Sequence, residues 1–95
     1  MLTAQTKVVA DPDVLATKLA NQELVLLHLQ TQQYYTLNES GMQIWQGLEQ
    51  AQSLLEIGQA LHAHYAITLD EASSYVHALV TSLIEEKLVK PVGAL

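Results

Sequence analysis

Hydrophobic and polar residues alternate unevenly along the first third of the chain and settle into a helical rhythm afterwards. Val14-Leu-Ala-Thr-Lys-Leu19 reads as a short strand, with Val14, Ala16 and Lys18 on one face and Leu15, Thr17 and Leu19 on the other. A turn over Ala20-Asn21-Gln22 leads into Glu23-Leu-Val-Leu-Leu-His-Leu29, apolar at almost every position. Such a run fits a strand covered on both faces, or partly covered on its second face. Gln30-Thr31-Gln32-Gln33 breaks the pattern, and Tyr34-Tyr-Thr-Leu37 follows with the aromatic and β-branched residues that strands favour. Three short segments with tight polar connections predict an antiparallel meander.

From Asn38 the spacing shifts to about 3.6 residues. Asn38 is suited to cap a helix whose inward positions are Gly41, Ile44, Trp45 and Leu48. Ser53-Leu-Leu-Glu56 has capping-box spacing and opens a second helix with Leu54, Ile57, Leu61 and Tyr65 on its stripe. Thr68-Leu-Asp-Glu71 repeats the signature before the longest helix, whose stripe reads Leu69, Ala72, Val76, Leu79, Leu83 and Ile84. Lys87 suits the negative end of that helix, and Pro91 forbids its continuation. Residues 92–95 are expected to form a loose tail. The order β-β-β-α-α-α predicts an α+β domain with the helices packed on one face of the sheet. The other face is then at risk of exposure.

Composition removes several functions. Ninety-five residues make one domain, and ten acids against four lysines give a formal charge of −6. Nucleic-acid affinity rests on cations meeting phosphates, and scattered lysines without arginine make a poor footprint. The absence of cysteine removes disulfides, thiolate metal sites and cysteine nucleophiles. No apolar run is long enough to span a bilayer and no signal peptide is visible, so a cytoplasmic protein is expected. His62 and His64, two apart on a helix, point roughly 200° from each other and cannot share a metal, and nothing links His28 to His77. No Gly-x-Ser-x-Gly elbow and no glycine cluster occurs. Neither an enzyme nor a bound cofactor or metal is expected.

Surface features remain. Tyr34 and Tyr35 must point to opposite faces of their strand, so one of them lies outside the main core. On the third helix Tyr75, Ala78, Ser82 and Glu86 form a second stripe beside Val76, Leu79 and Leu83. An edge strand at Tyr34–Leu37 would carry neither charge nor proline to blunt it. An open edge beside an apolar helix groove is the arrangement that accepts an added peptide strand.

The ordered series Glu23-Leu-Val-Leu-Leu-His-Leu29, Tyr34-Tyr35-x-Leu37-Asn38-x-x-Gly41-x-x-Ile44-Trp45-x-x-Leu48 and Ser53-Leu-Leu-Glu56-Ile57 resembles the PqqD family. The likeness continues through Leu61, Tyr65 and the long helix to Glu86-Lys87-Leu88-Val89. The resemblance implies a winged-helix-like fold, the RiPP recognition element, of three antiparallel strands and three helices. It places a lead-in at 1–12, the domain at 13–90 and a tail at 91–95. It also implies a non-catalytic chaperone that binds the leader of a ribosomally made precursor peptide, beside the third strand and against the third helix. The site residues implied are Tyr34, Tyr35, Thr36, Leu37, Tyr75, Val76, Leu79, Ser82 and Leu83. The partners implied are a precursor peptide and a modifying enzyme such as a leader peptidase or radical enzyme, with lasso-peptide maturation slightly favoured over quinone-cofactor synthesis. Two features depart from the family pattern: the 30–33 turn lacks glycine, and the third helix lacks its usual basic residues. Two other readings are a winged-helix DNA-binding regulator and an accessory subunit whose groove a partner protein fills. A monomer is expected, or a weak or strand-exchanged homodimer.

Overall fold

A computed structural model describes residues 2–92. Eight elements follow in order: β1 (Val8–Ala10), β2 (Val14–Lys18), β3 (Leu24–His28), β4 (Gln33–Leu37), α1 (Glu39–Glu49), α2 (Leu54–His64), α3 (Leu69–Glu85) and β5 (Val89–Pro91). The expected meander is present as the antiparallel sheet β2-β3-β4, in a winged-helix-like α+β arrangement with the three helices. Leu15 pairs with Leu27 and Leu27 with Tyr34, while Ala16, Leu26 and Tyr35 make the neighbouring row. The second row faces the helices, where Leu24, Leu26, His28 and Leu37 are buried. His28 is both enclosed and hydrogen-bonded, its Nδ1 accepting from the Gln30 amide at 3.3 Å.

Each helix begins as its cap predicts. Asn38 accepts from the Gly41 amide, and Ser53 and Thr68 complete reciprocal capping boxes with Glu56 and Glu71. The backbone amides of Ser53 and Thr68 hold the Glu56 and Glu71 carboxyls below the ordinary glutamate range, that hydrogen bond being the largest cause in each. The ends of α1 and α3 share a different device. Ala51 and Lys87 adopt left-handed backbone angles, and each turn closes with a pair of bonds. These run from Gln52 N to Gly47 O and Ala51 N to Leu48 O, and from Leu88 N to Leu83 O and Lys87 N to Ile84 O. Gly47 is required where α1 meets α2, because a Cβ there would lie 2.8 Å from Ile57 Cγ1.

Trp45, Ile44, Leu26, Val76, Val80, Leu88 and Val8 are the largest fully enclosed side chains. Two of these depart from expectation. Val80, rather than Leu79, completes the buried stripe of α3 with Ala72, Val76 and Leu83, and Leu69 is exposed. Val8 lies within 1–12, the stretch expected to lead in. Here β1 pairs antiparallel with β5, Val8 opposite Pro91 and Ala10 opposite Val89, so residues on both sides of the expected domain share one ribbon. Upstream, the carbonyls of Thr6 and Ala4 accept from the Leu54 and Leu55 amides at 2.9 Å, satisfying donors at the start of α2. Val92 donates its N–H to Lys7 O, so the expected tail begins in a bonded position, while 93–95 lie outside the described residues.

Candidate functional site

Strand β4 forms one edge of the three-stranded sheet. The direction of its backbone groups follows from the ladder's parity. Leu19 N bonds to Glu23 O and Leu29 N to Asp13 O, so the odd-numbered residues of β3 exchange hydrogen bonds with β2. The even ones, Leu24, Leu26 and His28, then serve β4 through Leu37, Tyr35 and Gln33. Tyr34 and Thr36 therefore aim their N–H and C=O groups away from the sheet. A guest strand would find its main-chain partners at those two residues.

Beside this edge lies a groove of about 300 Å³ lined by Glu23, Thr36, Leu37, Asn38, Gly41, Tyr75 and Leu79. Its walls come from three elements. Leu37 ends β4 with its side chain turned inward, Gly41 opens α1 without a side chain to fill the space, and Tyr75 and Leu79 stand one turn apart on α3. Two hydrogen bonds tie α3 to the rest of the site. Tyr35 donates its hydroxyl to Glu86 Oε1 at 2.6 Å, and Tyr75 Oη lies 2.9 Å from Ser40 Oγ. The bond to Glu86 is the largest cause of the raised Tyr35 pKa, followed by burial and the carboxylate's charge. Ser40 in turn donates to Asn38 Oδ1, so the helix cap and the groove rim share atoms.

Of the nine residues expected at the site, Thr36, Leu37, Tyr75 and Leu79 line the groove together. Tyr34, 70% exposed, projects from the sheet face that the helices do not cover. Tyr35 braces the site through Glu86, and Ser82 is exposed farther along α3. Val76 and Leu83 do not line it: both are buried in the core. Glu23, Asn38 and Gly41 also line the groove. The Asn38 cap and the close-packed Gly41 were visible as sequence signals, whereas nothing local marks Glu23, which is brought to the groove because the start of β3 pairs with Leu37.

Comparison with known proteins decides the family. The profile described as Coenzyme PQQ synthesis protein D (PqqD) matches residues 23–89. The chain belongs to the PqqD family. A search of curated proteins finds no match. Among solved structures, TbiB1 in complex with the TbiA(beta) leader peptide is 28% identical, with a TM-score of 0.81 over 86% of this chain and 94% of that one. Lasso peptide synthetase B1 complexed with the leader peptide is 27% identical, with a TM-score of 0.83 over 90% and 99% of the two chains. The PqqD match begins at Glu23 and ends at Val89, enclosing the β4 edge, the groove and all of α3. Among the described residues no group of three or more histidines or carboxylates could hold a metal, and no helix is long and apolar enough to cross a membrane.

Proposed function

We propose that this PqqD-family chain is a non-catalytic peptide chaperone that binds the leader of a ribosomally made precursor and presents it to modifying enzymes. The observation that carries the reading is the free β4 edge, with outward main-chain groups at Tyr34 and Thr36, beside the Leu37–Tyr75–Leu79 groove. Main-chain bonds to the edge would supply affinity, and the groove would select a leader side chain. Anchoring the leader raises the effective concentration of the attached core peptide at the enzyme, without any chemistry by the chaperone. The likeness to the leader-bound lasso peptide synthetase B1 supports a lasso-type precursor over a quinone-cofactor one. Glu23 on the groove and Glu86 beside Tyr35 favour a neutral or basic leader. The work is cytoplasmic, where a newly translated precursor is first available.

The test is fluorescence anisotropy with labelled leader peptides of the ribosomal precursors encoded in the same genome. Saturable binding is expected, weakened at least about tenfold by Leu79→Glu, which puts a charge on the apolar wall. Saturable binding that Leu79→Glu and Tyr75→Ala leave unchanged would place the leader elsewhere. No binding to the wild-type chain would refute the function.

A further inference from the structure

The groove beside β4 does not run the length of the strand. Its lining ends at Thr36 and Leu79, and neither Tyr35, Ser82 nor Glu86 borders it. Tyr35 accounts for the closed half. It sits on the helix-facing row of the sheet, half-buried against the core, and its hydroxyl lies 2.6 Å from Glu86 Oε1 and 3.0 Å from Gln33 Oε1. The phenol thus bridges β4 to the end of α3 and leaves a side-chain-sized opening only at the Leu37 end.

Glu86 is also fixed through its own backbone. Its N–H bonds to Ser82 O, and the turn after it closes from Lys87 N to Ile84 O and from Leu88 N to Leu83 O. The position is electrostatically poor. A carboxylate at the C-terminal end of a helix meets the negative pole of the macrodipole, and the last turn of α3 carries no basic residue to offset it. Glu86 is exposed, and a side chain engages only its Oε1. A cation arriving from outside the chain would relieve both the dipole and the carboxylate. A local preference broken without compensation inside the chain is characteristic of a functional position.

Two separate lengths fix where that cation would stand on a strand added beside β4. Leu37 and Gln33 are four residues apart, about 13 Å in a strand, with side chains on one face. Along α3, Glu86 lies nine residues beyond the midpoint of Tyr75 and Leu79, again about 13 Å. The guest residue opposite Leu37 therefore enters the groove, the one opposite Tyr35 passes over the ring, and the one opposite Gln33 comes level with Glu86.

We propose that Tyr35 and Glu86 set the selectivity of the β4 edge. The bound segment carries one apolar anchor in the groove and, four positions away on the same face, a lysine or arginine that pairs with Glu86. The residue midway between them is small, because the Tyr35 ring fills the space beneath it. Glu86 contacts the peptide, whereas Tyr35 is a positioning residue that holds the carboxylate toward the strand. This selectivity rests on the leader-binding reading and specifies the class of leader within it.

The experiment is anisotropy with the labelled leader that wild type binds, scanned with alanine and then altered at one charge. The anchor is the position whose alanine substitution costs most in wild type and little in Leu79→Ala. Exchanging the basic residue four positions from it for glutamate is expected to weaken binding to wild type about fivefold or more at low salt, and less at high salt. Glu86→Gln retains an acceptor for Tyr35 but no charge, and should reduce that loss to less than about twofold. Glu23→Gln should leave the loss whole. Tyr35→Phe keeps the ring and releases the carboxylate, so it should shrink the loss without changing the contribution of the anchor. A leader that binds through the groove with no basic residue at that spacing overturns the proposal. So does a loss that Glu86→Gln leaves intact, or one that follows Glu23 instead. Those results leave leader binding standing. No binding of any leader to wild type refutes the leader reading itself, and the selectivity with it.

Discussion

Replacing Thr36 by proline separates strand addition from every other way of using the groove. The Thr36 N–H points away from β3, so the substitution removes a donor that the sheet does not use. Proline is tolerated at an edge strand under that condition, and Tyr35 before it already has the extended backbone that a following proline demands. A leader strand would lose one main-chain hydrogen bond, worth about 1 kcal/mol net, and would bury its carbonyl without a partner, which costs about 1–3 kcal/mol. Together these correspond to a loss of about 2 kcal/mol or more, a Kd raised roughly 30-fold. The assay is leader anisotropy, with fluorescence of the single tryptophan, enclosed Trp45, and circular dichroism showing that the fold persists. Tyr35→Pro provides the contrast: its N–H belongs to the β3 ladder, so that variant should lose stability itself. A folded Thr36→Pro protein that binds leader as tightly as wild type would refute strand addition at β4 and leave the groove as a side-chain pocket only.

Further outcomes follow from the helix ends and the packing. Ala51→Gly should raise stability by about 1 kcal/mol, and Tm by about 4–8 °C, because alanine holds a left-handed angle there at a steric cost glycine does not have; a calorimetric scan checks it. Gly47→Ala should lower stability by about 1–2 kcal/mol in urea titration, although alanine ordinarily favours a helix, because its Cβ would meet Ile57. Acid titration should reveal the two capping boxes. The folded-state pKa values of Glu56 and Glu71 are depressed, so their contribution is complete above the ordinary value of 4.5 and is lost as pH falls through the lower folded-state values. A Glu56→Gln, Glu71→Gln double variant should therefore show a flatter loss of stability below that pH than wild type.

The parts of this fold legible in the sequence are those written locally. Ser53-Leu-Leu-Glu56 and Thr68-Leu-Asp-Glu71 each contain both partners of a reciprocal cap within four residues, and both form as read. The meander is equally local, with short polar connections between its strands. The β1–β5 ribbon is different. Its strands are three residues each and about eighty positions apart, too short for alternation to register and joined only through the finished core. At the candidate site, the hydrophobic period of α3 marks the helix that borders the groove but allows two phases. Val80 completes the inward stripe, which releases Leu79 to the groove and leaves Val76 and Leu83 beneath it. The second apolar face of the sheet was foreshadowed by β3, where Val25 and Leu27 are as hydrophobic as the residues facing the helices.

The β1–β5 ribbon also sets how the molecule answers to force. Val8 and Pro91 are paired at the end of the ribbon from which the chain leaves in both directions. Tension applied from both sides first meets the Ala4 and Thr6 bonds to α2, and then acts on one rung of the ribbon at a time, from the bond between Val92 and Lys7 inward, without loading the rungs together in shear. The clasp opens like a zipper, and the first core residues it uncovers are Val8 and Val89. A pull across the termini would peel the ribbon away before it strained the three-stranded sheet, so the free β4 edge is insulated from whatever drags on the ends.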